Sequence, residues 1–248
     1  MSFLKSILKQ QLLVLCIIIL LVSGCSSPAE KNTAQEMNKT LEQLAPNVFK
    51  LKADTLGLRC FEVTFKAGDS IPMNEFPENV LYVIEPGNIE YTREDGSKAV
   101  SEFTKGQAYI RGGGRAFSRN IGNTTIKGLV FQILRPNEVE MPYDATKDAA
   151  IIEPSIYHVL ADTNNIRVIM ATYQAGQTSK LHRHPDYVSY VLEGGKTEII
   201  EKDGSKQDGE LIAGTSGVFK GSEHIFKNID TVSWKVLMIE VNRKTAIK

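Results

Sequence analysis

The chain repeats itself at an offset of 108 residues. Residues 52–69, KADTLGLRCFEVTFKAGD, fall on residues 160–177, LADTNNIRVIMATYQAGQ. Between residues 49–134 and residues 157–242 there are about 25 identities in about 86 positions, without a gap. A repeat of this length constrains the fold strongly, because two copies of one small domain must each bury a core of their own. We therefore interpret the chain as a duplicated domain.

Each copy has the sequence pattern of an all-β domain. Short runs rich in Val, Ile, Phe and Tyr are separated by Gly, Asp-Gly and Asn at intervals of about eight to twelve residues. The predicted strands are 59–65, 80–84 and 129–134 in the first copy and 167–173, 189–192 and 235–241 in the second. Asp95-Gly96 and Asp203-Gly204 predict tight hairpin turns. We predict an all-β fold of two tandem jelly-roll barrels that pack sheet against sheet.

The N-terminus has the pattern of an export signal. Lys5 and Lys9 precede an apolar run at 12–22, which is shorter than the roughly 20 residues that a transmembrane helix needs. The residues Leu-Val-Ser-Gly before Cys25 resemble the lipobox of bacterial lipoproteins, in which the cysteine carries the lipid. We expect an exported, lipid-anchored protein on the periplasmic face or the outer membrane. An uncleaved membrane anchor is the alternative.

These features divide the chain into a signal peptide (1–24), a polar tether (25–46), a first barrel (47–135), a connector (136–154) and a second barrel (155–245). The 29 basic and 29 acidic side chains balance, and no long basic run occurs, which argues against nucleic acid as a partner. If Cys16 leaves with the signal and Cys25 carries lipid, only Cys60 remains, so no disulfide can form within the chain.

The second copy resembles the cupin superfamily in two motifs. The first motif is Gly176, five residues, His182-Arg-His184 and later a glycine, and the second contains Gly214, His224 and Asn228. The resemblance implies a jelly-roll barrel with His182, His184 and His224 as metal ligands. The wording HRHPDYV and VLEGGK is also similar to small cupins assigned to β-alanine degradation.

The chemistry fits this spacing. Residues i and i+2 of a strand point to the same face, so His182 and His184 can both enter the barrel and meet His224 from a later strand. Three neutral imidazoles suit Fe, Zn, Ni, Cu or Mn and leave coordination positions open for a small molecule. We therefore predict a divalent transition metal as the cofactor, without choosing among these ions. His158 is expected to be structural.

The acidic fourth ligand of the cupin motif is missing. It should fall at Tyr187 or Val188, depending on the alignment, and neither is a carboxylate. The site is therefore predicted to resemble the minority of cupins that bind a metal with histidines alone. Because neutral ligands leave the metal its full double charge, an anionic ligand is favoured.

The first copy keeps the strand pattern without the histidines. Asn74, Phe76 and Ala116 stand at the ligand positions, and they cannot hold a transition metal together. We predict a metal-free structural barrel. A nearby arginine cluster is assigned to an exposed hairpin, with anion binding as the less favoured reading; its members are Arg111, Arg115 and Arg119.

Two functions remain open at this point. One is a module that binds a metal and a small, anionic molecule, and the other is a metal-dependent oxygenase or isomerase that acts on a small polar metabolite. The residues predicted to shape the pocket are Tyr187, Val188, Tyr190 and Trp234, and the nearby carboxylates, none assigned as a base, are Asp186, Glu193 and Glu223. The partners expected are a small molecule and, through the lipid, a membrane; a homodimer is compatible with the sequence.

Overall fold

The computed structural model describes residues 39–134, 144–163 and 165–241. The predicted signal peptide (1–24) and the lipidation site Cys25 lie outside these residues. Across the described part of the chain, no helix has the length and apolar character required to traverse a membrane.

The first barrel consists of nine antiparallel strands. They are Phe49–Thr55 (β1), Leu58–Phe65 (β2), Ser70–Phe76 (β3), Asn79–Glu85 (β4), Gly87–Thr92 (β5), Lys98–Phe103 (β6), Ala108–Arg111 (β7), Gly114–Asn120 (β8) and Ile126–Ile133 (β9). Five of them form a sheet in the order β1-β2-β9-β4-β7, and four form a sheet in the order β3-β8-β5-β6.

The second barrel repeats this arrangement. Its strands are Tyr157–Asp162 (β10), Ile166–Tyr173 (β11), His182–His184 (β12), Tyr187–Glu193 (β13), Gly195–Glu201 (β14), Lys206–Leu211 (β15), Ser216–Phe219 (β16), Ser222–Asn228 (β17) and Trp234–Val241 (β18). The sheets have the orders β10-β11-β18-β13-β16 and β12-β17-β14-β15. The two barrels therefore share one topology, as the repeat predicts.

A short capped helix precedes each barrel. Leu41–Leu44 (α1) has Thr40 as its N-cap, and Ala149–Ile152 (α2) has Asp148, whose carboxylate accepts hydrogen bonds from two backbone N–H groups of the first turn. Thr40 and Asp148 are also 108 residues apart. The duplicated unit therefore includes this helical turn, which the comparison of strands alone did not reveal.

The predicted hairpin turns are confirmed. The tips between β5 and β6 and between β14 and β15 contain Gly96 at φ 78° and Gly204 at φ 85°. This left-handed conformation is easy for glycine and costly for other residues. In each turn the preceding aspartate accepts a hydrogen bond from the backbone two residues later, at Ser97 and Ser205.

The five-stranded sheets are buried on both faces. Along β2 the side chains of Phe61, Val63 and Phe65 fill the first barrel, whereas Leu58 and Cys60 point the other way. The outward side chains of both five-stranded sheets form a common apolar core between the barrels, with Leu58, Cys60, Val80, Leu129, Phe131, Ile133, Ile166, Val168, Val188, Leu237, Ile239 and Val241 among its members. The prediction of two all-β barrels packed sheet against sheet is confirmed.

Candidate metal centre

The three histidines of the cupin motifs converge inside the second barrel. β12 supplies His182 and His184, and β17 pairs with it so that His182 lies opposite His224. Their candidate ligand nitrogens all lie within 4.8 Å of one another. The side chains are buried, with exposures of 0%, 1% and 4% for His182, His184 and His224. The alternation of β12 and the register with β17 thus bring together the residues that the sequence selects.

Hydrogen bonds fix the orientation of each imidazole. The Nδ1 of His182 lies 2.8 Å from the carbonyl oxygen of Lys180, and the Nδ1 of His184 lies 2.7 Å from Oε1 of Glu240. Carbonyl and carboxylate oxygens only accept, so both Nδ1 atoms carry the proton and donate. The Nε2 atoms of both rings therefore present a lone pair, which is the form a metal binds.

The third ring completes a donor set that suits a metal. The Nδ1 of His224 is 3.0 Å from the hydroxyl oxygen of Ser222. Its Nε2 is buried and has no hydrogen-bond partner among the described residues. Since an unpaired buried polar atom normally costs about 1–3 kcal/mol, a metal ion at this nitrogen would account for the arrangement. Three imidazole nitrogens with one left unpaired fit a divalent transition metal.

Burial keeps His182 and His224 neutral. It lowers the pKa of His182 to about 2, with further contributions from His184 and His224. It likewise lowers the pKa of His224 to about 3, with a smaller contribution from His184. Neutral imidazole is required for metal binding, so protons do not compete for these two ligands at neutral pH.

A tyrosine that the sequence analysis missed contacts the centre. The hydroxyl of Tyr157 donates to Nε2 of His182 at 2.8 Å and lies 2.5 Å from the hydroxyl of Tyr173. A metal at this nitrogen must replace the Tyr157 bond. Comparison of the two copies could have identified Tyr157 and Tyr173, because phenylalanines, Phe49 and Phe65, stand at the corresponding positions of the copy without histidines.

A cavity of about 400 Å³ is lined in part by His184 and His224. This volume is within the range of about 300–1,000 Å³ that small-molecule sites have. Its walls include several aromatic rings, among them the predicted pocket residues Tyr187 and Trp234, with Tyr173, Phe219 and Phe226. The charged side chains in its lining, apart from histidine, are Glu201, Glu210 and Lys220.

The prediction that Val188 and Tyr190 shape the pocket is corrected by the strand register. Successive residues of β13 point to opposite faces, and Tyr187 and Ser189 line the cavity. Val188 and Tyr190 belong instead to the core between the barrels, where the Tyr190 hydroxyl donates to Oε1 of Glu62 at 2.6 Å. Of the two candidate positions for the missing acidic ligand, only Tyr187 faces the centre.

The three nearby carboxylates are engaged elsewhere. Asp186 accepts a hydrogen bond from the backbone N–H of Gly221 at 2.7 Å, Glu193 pairs with Lys235 at 2.8 Å, and Glu223 pairs with Lys147 at 2.9 Å. None of the three carboxylates lines the cavity. His158 is exposed and does not line the cavity.

A different carboxylate, that of Glu240, contacts one of the histidines at the nitrogen that does not face the proposed metal. Glu240 on β18 is fully buried and binds Nδ1 of His184 through one oxygen. Its other oxygen accepts from Nε of Arg167 at 2.7 Å, and Nη1 of Arg167 lies 2.9 Å from Asp148. We call this chain of three buried charged side chains, Asp148–Arg167–Glu240, the relay. The sequence alone could have singled out Glu240, since it is an acidic residue within an otherwise apolar strand end.

The first barrel has the same register at the ligand positions but different side chains. Asn74 pairs with Ala116 and Phe76 with Gly114, as His182 pairs with His224 and His184 with Ser222. The arginine cluster is only partly engaged by neighbours: Arg111 lies over the ring of Tyr91, Arg115 pairs with Glu94, and Arg119 is exposed.

Asn228 of the second motif is structural. Its side-chain amide donates to backbone carbonyls at the base of the barrel, including that of Tyr173 at 3.2 Å. Asn120 in the first barrel makes the equivalent bond to Phe65 at 2.8 Å. Because the barrel without histidines keeps this clamp, Asn228 is no evidence for metal binding.

Known structures share this two-barrel architecture, whereas comparison of sequences detects no relative. No protein-family model matches the chain, and no curated protein sequence does. A variant of oxalate decarboxylase from B. subtilis aligns with a TM-score of 0.57 and 14% identity, over 81% of this chain and 77% of that one. A Bacillus subtilis oxalate decarboxylase structure described for its Mn(II) centres aligns with a TM-score of 0.55 and 13% identity, over the same shares.

A cupin 2 conserved barrel domain protein from Leptotrichia buccalis also matches, with a TM-score of 0.42 and 16% identity over 78% of this chain and 88% of that one. The identities to the oxalate decarboxylases are low, so those alignments establish the fold. They cover 81% of this chain, which is more than one barrel contains, so both barrels take part in them. The chain therefore has the two-barrel jelly-roll fold of cupin proteins.

Proposed function

We propose that the protein is an exported, lipid-anchored bicupin whose second barrel binds a divalent transition metal and a small anionic molecule. The metal ligands are Nε2 of His182, His184 and His224. The observation that carries the proposal is the buried Nε2 of His224, which has no partner among the described residues although the candidate ligand nitrogens of the three histidines all lie within 4.8 Å of one another. Such an arrangement is costly without a metal ion.

An anionic ligand is favoured by the charge of the centre. Three neutral imidazoles leave the double charge of the metal intact at the floor of the cavity. The buried rings of Tyr187 and Trp234 in its walls lower the local dielectric constant and so strengthen that attraction. A carboxylate or enolate that reaches the metal, with an apolar body against these rings, matches the cavity.

A metal-dependent enzyme is the second candidate, and Tyr157 favours it. Its hydroxyl is 2.8 Å from a ligand nitrogen and is bonded to a second buried hydroxyl, that of Tyr173. These two residues can hold a proton beside a ligand at the metal. The metal would supply Lewis-acid or redox chemistry, and the B. subtilis relatives in fold are decarboxylases. Incubation of the metal-loaded protein with small carboxylates, followed by product analysis, separates turnover from binding alone.

Metal analysis tests the first proposal. The purified full chain should contain about one transition-metal ion per chain. His182→Ala and His224→Ala should lose it, and addition of small carboxylates should raise the melting temperature of the loaded wild type only. An unchanged metal content in both variants would contradict the three-histidine site.

Anchoring is tested separately. Cys25→Ser should abolish lipid labelling and leave the precursor unprocessed, because the lipobox cysteine is the site of modification. Cys60→Ser is the matched control, since Cys60 is buried between the barrels. Labelling that persists in the Cys25→Ser variant would refute the lipid anchor and leave the metal site unaffected.

A further inference from the structure

The relay Asp148–Arg167–Glu240 joins three parts of the second barrel. Arg167 on β11 and Glu240 on β18 are paired across the sheet, and Asp148 comes from the helical turn before the barrel. The exposures are 4%, 3% and 0% for Asp148, Arg167 and Glu240. The relay ends on Nδ1 of His184 at 2.7 Å. Four elements are thus connected by charged hydrogen bonds in the interior.

Burial of three charged groups has a large desolvation cost, and a buried ion pair is weak evidence for stability. The first barrel shows that the fold does not need the relay. Gln132 stands at the position of Glu240, and Thr40 at the position of Asp148. Arg59, the counterpart of Arg167, pairs with Asp54 near the surface. The barrel without the relay also has no histidine ligands, so the two features occur together.

The net negative charge of the relay complements the positive charge of the metal proposed at the centre. Two carboxylates and one guanidinium leave one net negative charge, which lies against His184. A carboxylate that accepts from Nδ1 fixes the imidazole ring and makes Nε2 a stronger donor to a metal. The predicted acidic ligand is absent from the first cupin motif, since Tyr187 and Val188 occupy its two candidate positions.

We propose that Glu240 is a positioning residue of the metal centre that makes Nε2 of His184 a stronger donor and so compensates in part for the missing acidic ligand, while the ligand atoms themselves stay neutral. Arg167 and Asp148 hold its carboxylate in place. This inference rests on the proposed metal site and adds to it a residue that does not touch the metal. It also means that Asp148, a helix N-cap outside the barrel strands, affects the metal affinity of the centre.

Cobalt titration of the full chain, first stripped of metal with a chelator, tests the inference. Glu240→Gln introduces the residue that the first barrel has at this position. It should weaken Co(II) affinity by about 10–100-fold. The visible bands of bound Co(II) should move to longer wavelength, because His184 becomes a weaker donor. A side chain with a purely structural role would not shift these bands.

Two further variants keep the test decisive. Asp148→Asn retains a good N-cap residue while removing the charge, so it should fold normally and weaken Co(II) binding by less than Glu240→Gln does. Glu62→Gln is the matched control, since Glu62 pairs with Lys52 and Tyr190 between the barrels and should leave Co(II) binding unchanged.

The outcomes separate this inference from the proposed site. If Glu240→Gln and Asp148→Asn bind Co(II) as tightly as the wild type, with unshifted bands, while His182→Ala does not bind it, the relay has no role at the metal and the inference is overturned. A wild type that fails to bind Co(II) would instead refute the three-histidine site itself.

Discussion

The two barrels have the same strands, register and turns, and they differ in what fills them. In the first barrel the interior contains Phe49, Phe65 and Ile126, whereas the second has Tyr157, Tyr173 and Trp234 at the same positions. The first is a packed apolar core, and the second is a cavity with hydroxyls and imidazoles. The interior side chains therefore determine whether a barrel of this fold has a packed apolar core or a candidate metal site.

The comparison also separates features that both barrels share from features that belong to the candidate site. The asparagine clamp, the Asp-Gly turns and the capped helix occur in both barrels, so they belong to the fold. The histidines, the two tyrosine hydroxyls and the relay occur only in the second, within the part of the chain that the structure describes. A duplicated chain thus contains its own control for each functional assignment.

The largest expected effect comes from converting the second centre into the first. The triple substitution His182→Asn, His184→Phe and His224→Ala should abolish metal binding, because it installs the residues found in the first barrel. Elemental analysis of the purified chain measures the loss. Asn74→Ala is the matched control in the other barrel and should retain about one metal per chain. Retention of metal by the triple variant would place the site elsewhere.

The next effect distinguishes the two faces of β13. Val188 is fully buried between the barrels, opposite the side of Tyr187. Val188→Glu should destabilise the chain by about 3–5 kcal/mol in denaturant unfolding, because it buries an unpaired charge. Tyr187→Glu should raise Co(II) affinity and weaken binding of small carboxylates at the metal, as measured by calorimetry. Equal effects of the two substitutions would contradict the strand register.

Acid sensitivity should differ between the metal-free wild type and His182→Asn/His224→Ala. Burial lowers the pKa of both histidines far below 6.5, so the unfolded chain takes up protons that the folded chain refuses. Stability is therefore complete above about pH 6.5 and falls as pH decreases toward about 3. The wild type should lose about 2.7 kcal/mol more per pH unit than the variant in this window. If denaturant unfolding gave the wild type and the variant parallel profiles of stability against pH, this prediction would be wrong.

The smallest effect concerns Tyr157. Tyr157→Phe copies Phe49 of the first barrel and removes hydrogen bonds to His182 and Tyr173, which should cost the metal-free protein about 1–2 kcal/mol. The cost should shrink when Co(II) is bound, since the metal replaces the bond to His182. Melting curves with and without Co(II) measure the difference. Weaker Co(II) binding in this variant would mean that the hydroxyl itself is a ligand.

The sequence predicts the fold and the convergence of the three histidines for physical reasons. Strands alternate with period two, so His182 and His184 share a face whatever the details of the barrel. Asp-Gly turns at positions 95 and 203 mark the same hairpin in both copies, and the repeat itself requires two cores. These signals are local or periodic, and they survive without knowledge of tertiary contacts.

The rest of the site depends on contacts between distant segments. Tyr190 looked like a pocket residue because it follows the histidines closely, but the register of β13 turns it toward Glu62. Asp148 and Glu240 lie about 90 residues apart in the chain and meet only through Arg167. Glu240 could have been singled out by comparison with Gln132, yet its partner His184 is visible only after β12 and β18 are placed in space.

The burial of the five-stranded sheets on both faces has a consequence for sequence drift. In β9 and β18 nearly every side chain contacts one core or the other, so substitutions there are restricted at successive positions. The edge strand β6 alternates between exposed and less exposed residues, and β15 is mostly exposed and has Lys206, Asp208 and Glu210, charges that discourage pairing with another chain. We expect homologous sequences to diverge fastest along β6 and β15 while β9 and β18 change in volume-conserving steps, so the central strands should preserve the family signature longest.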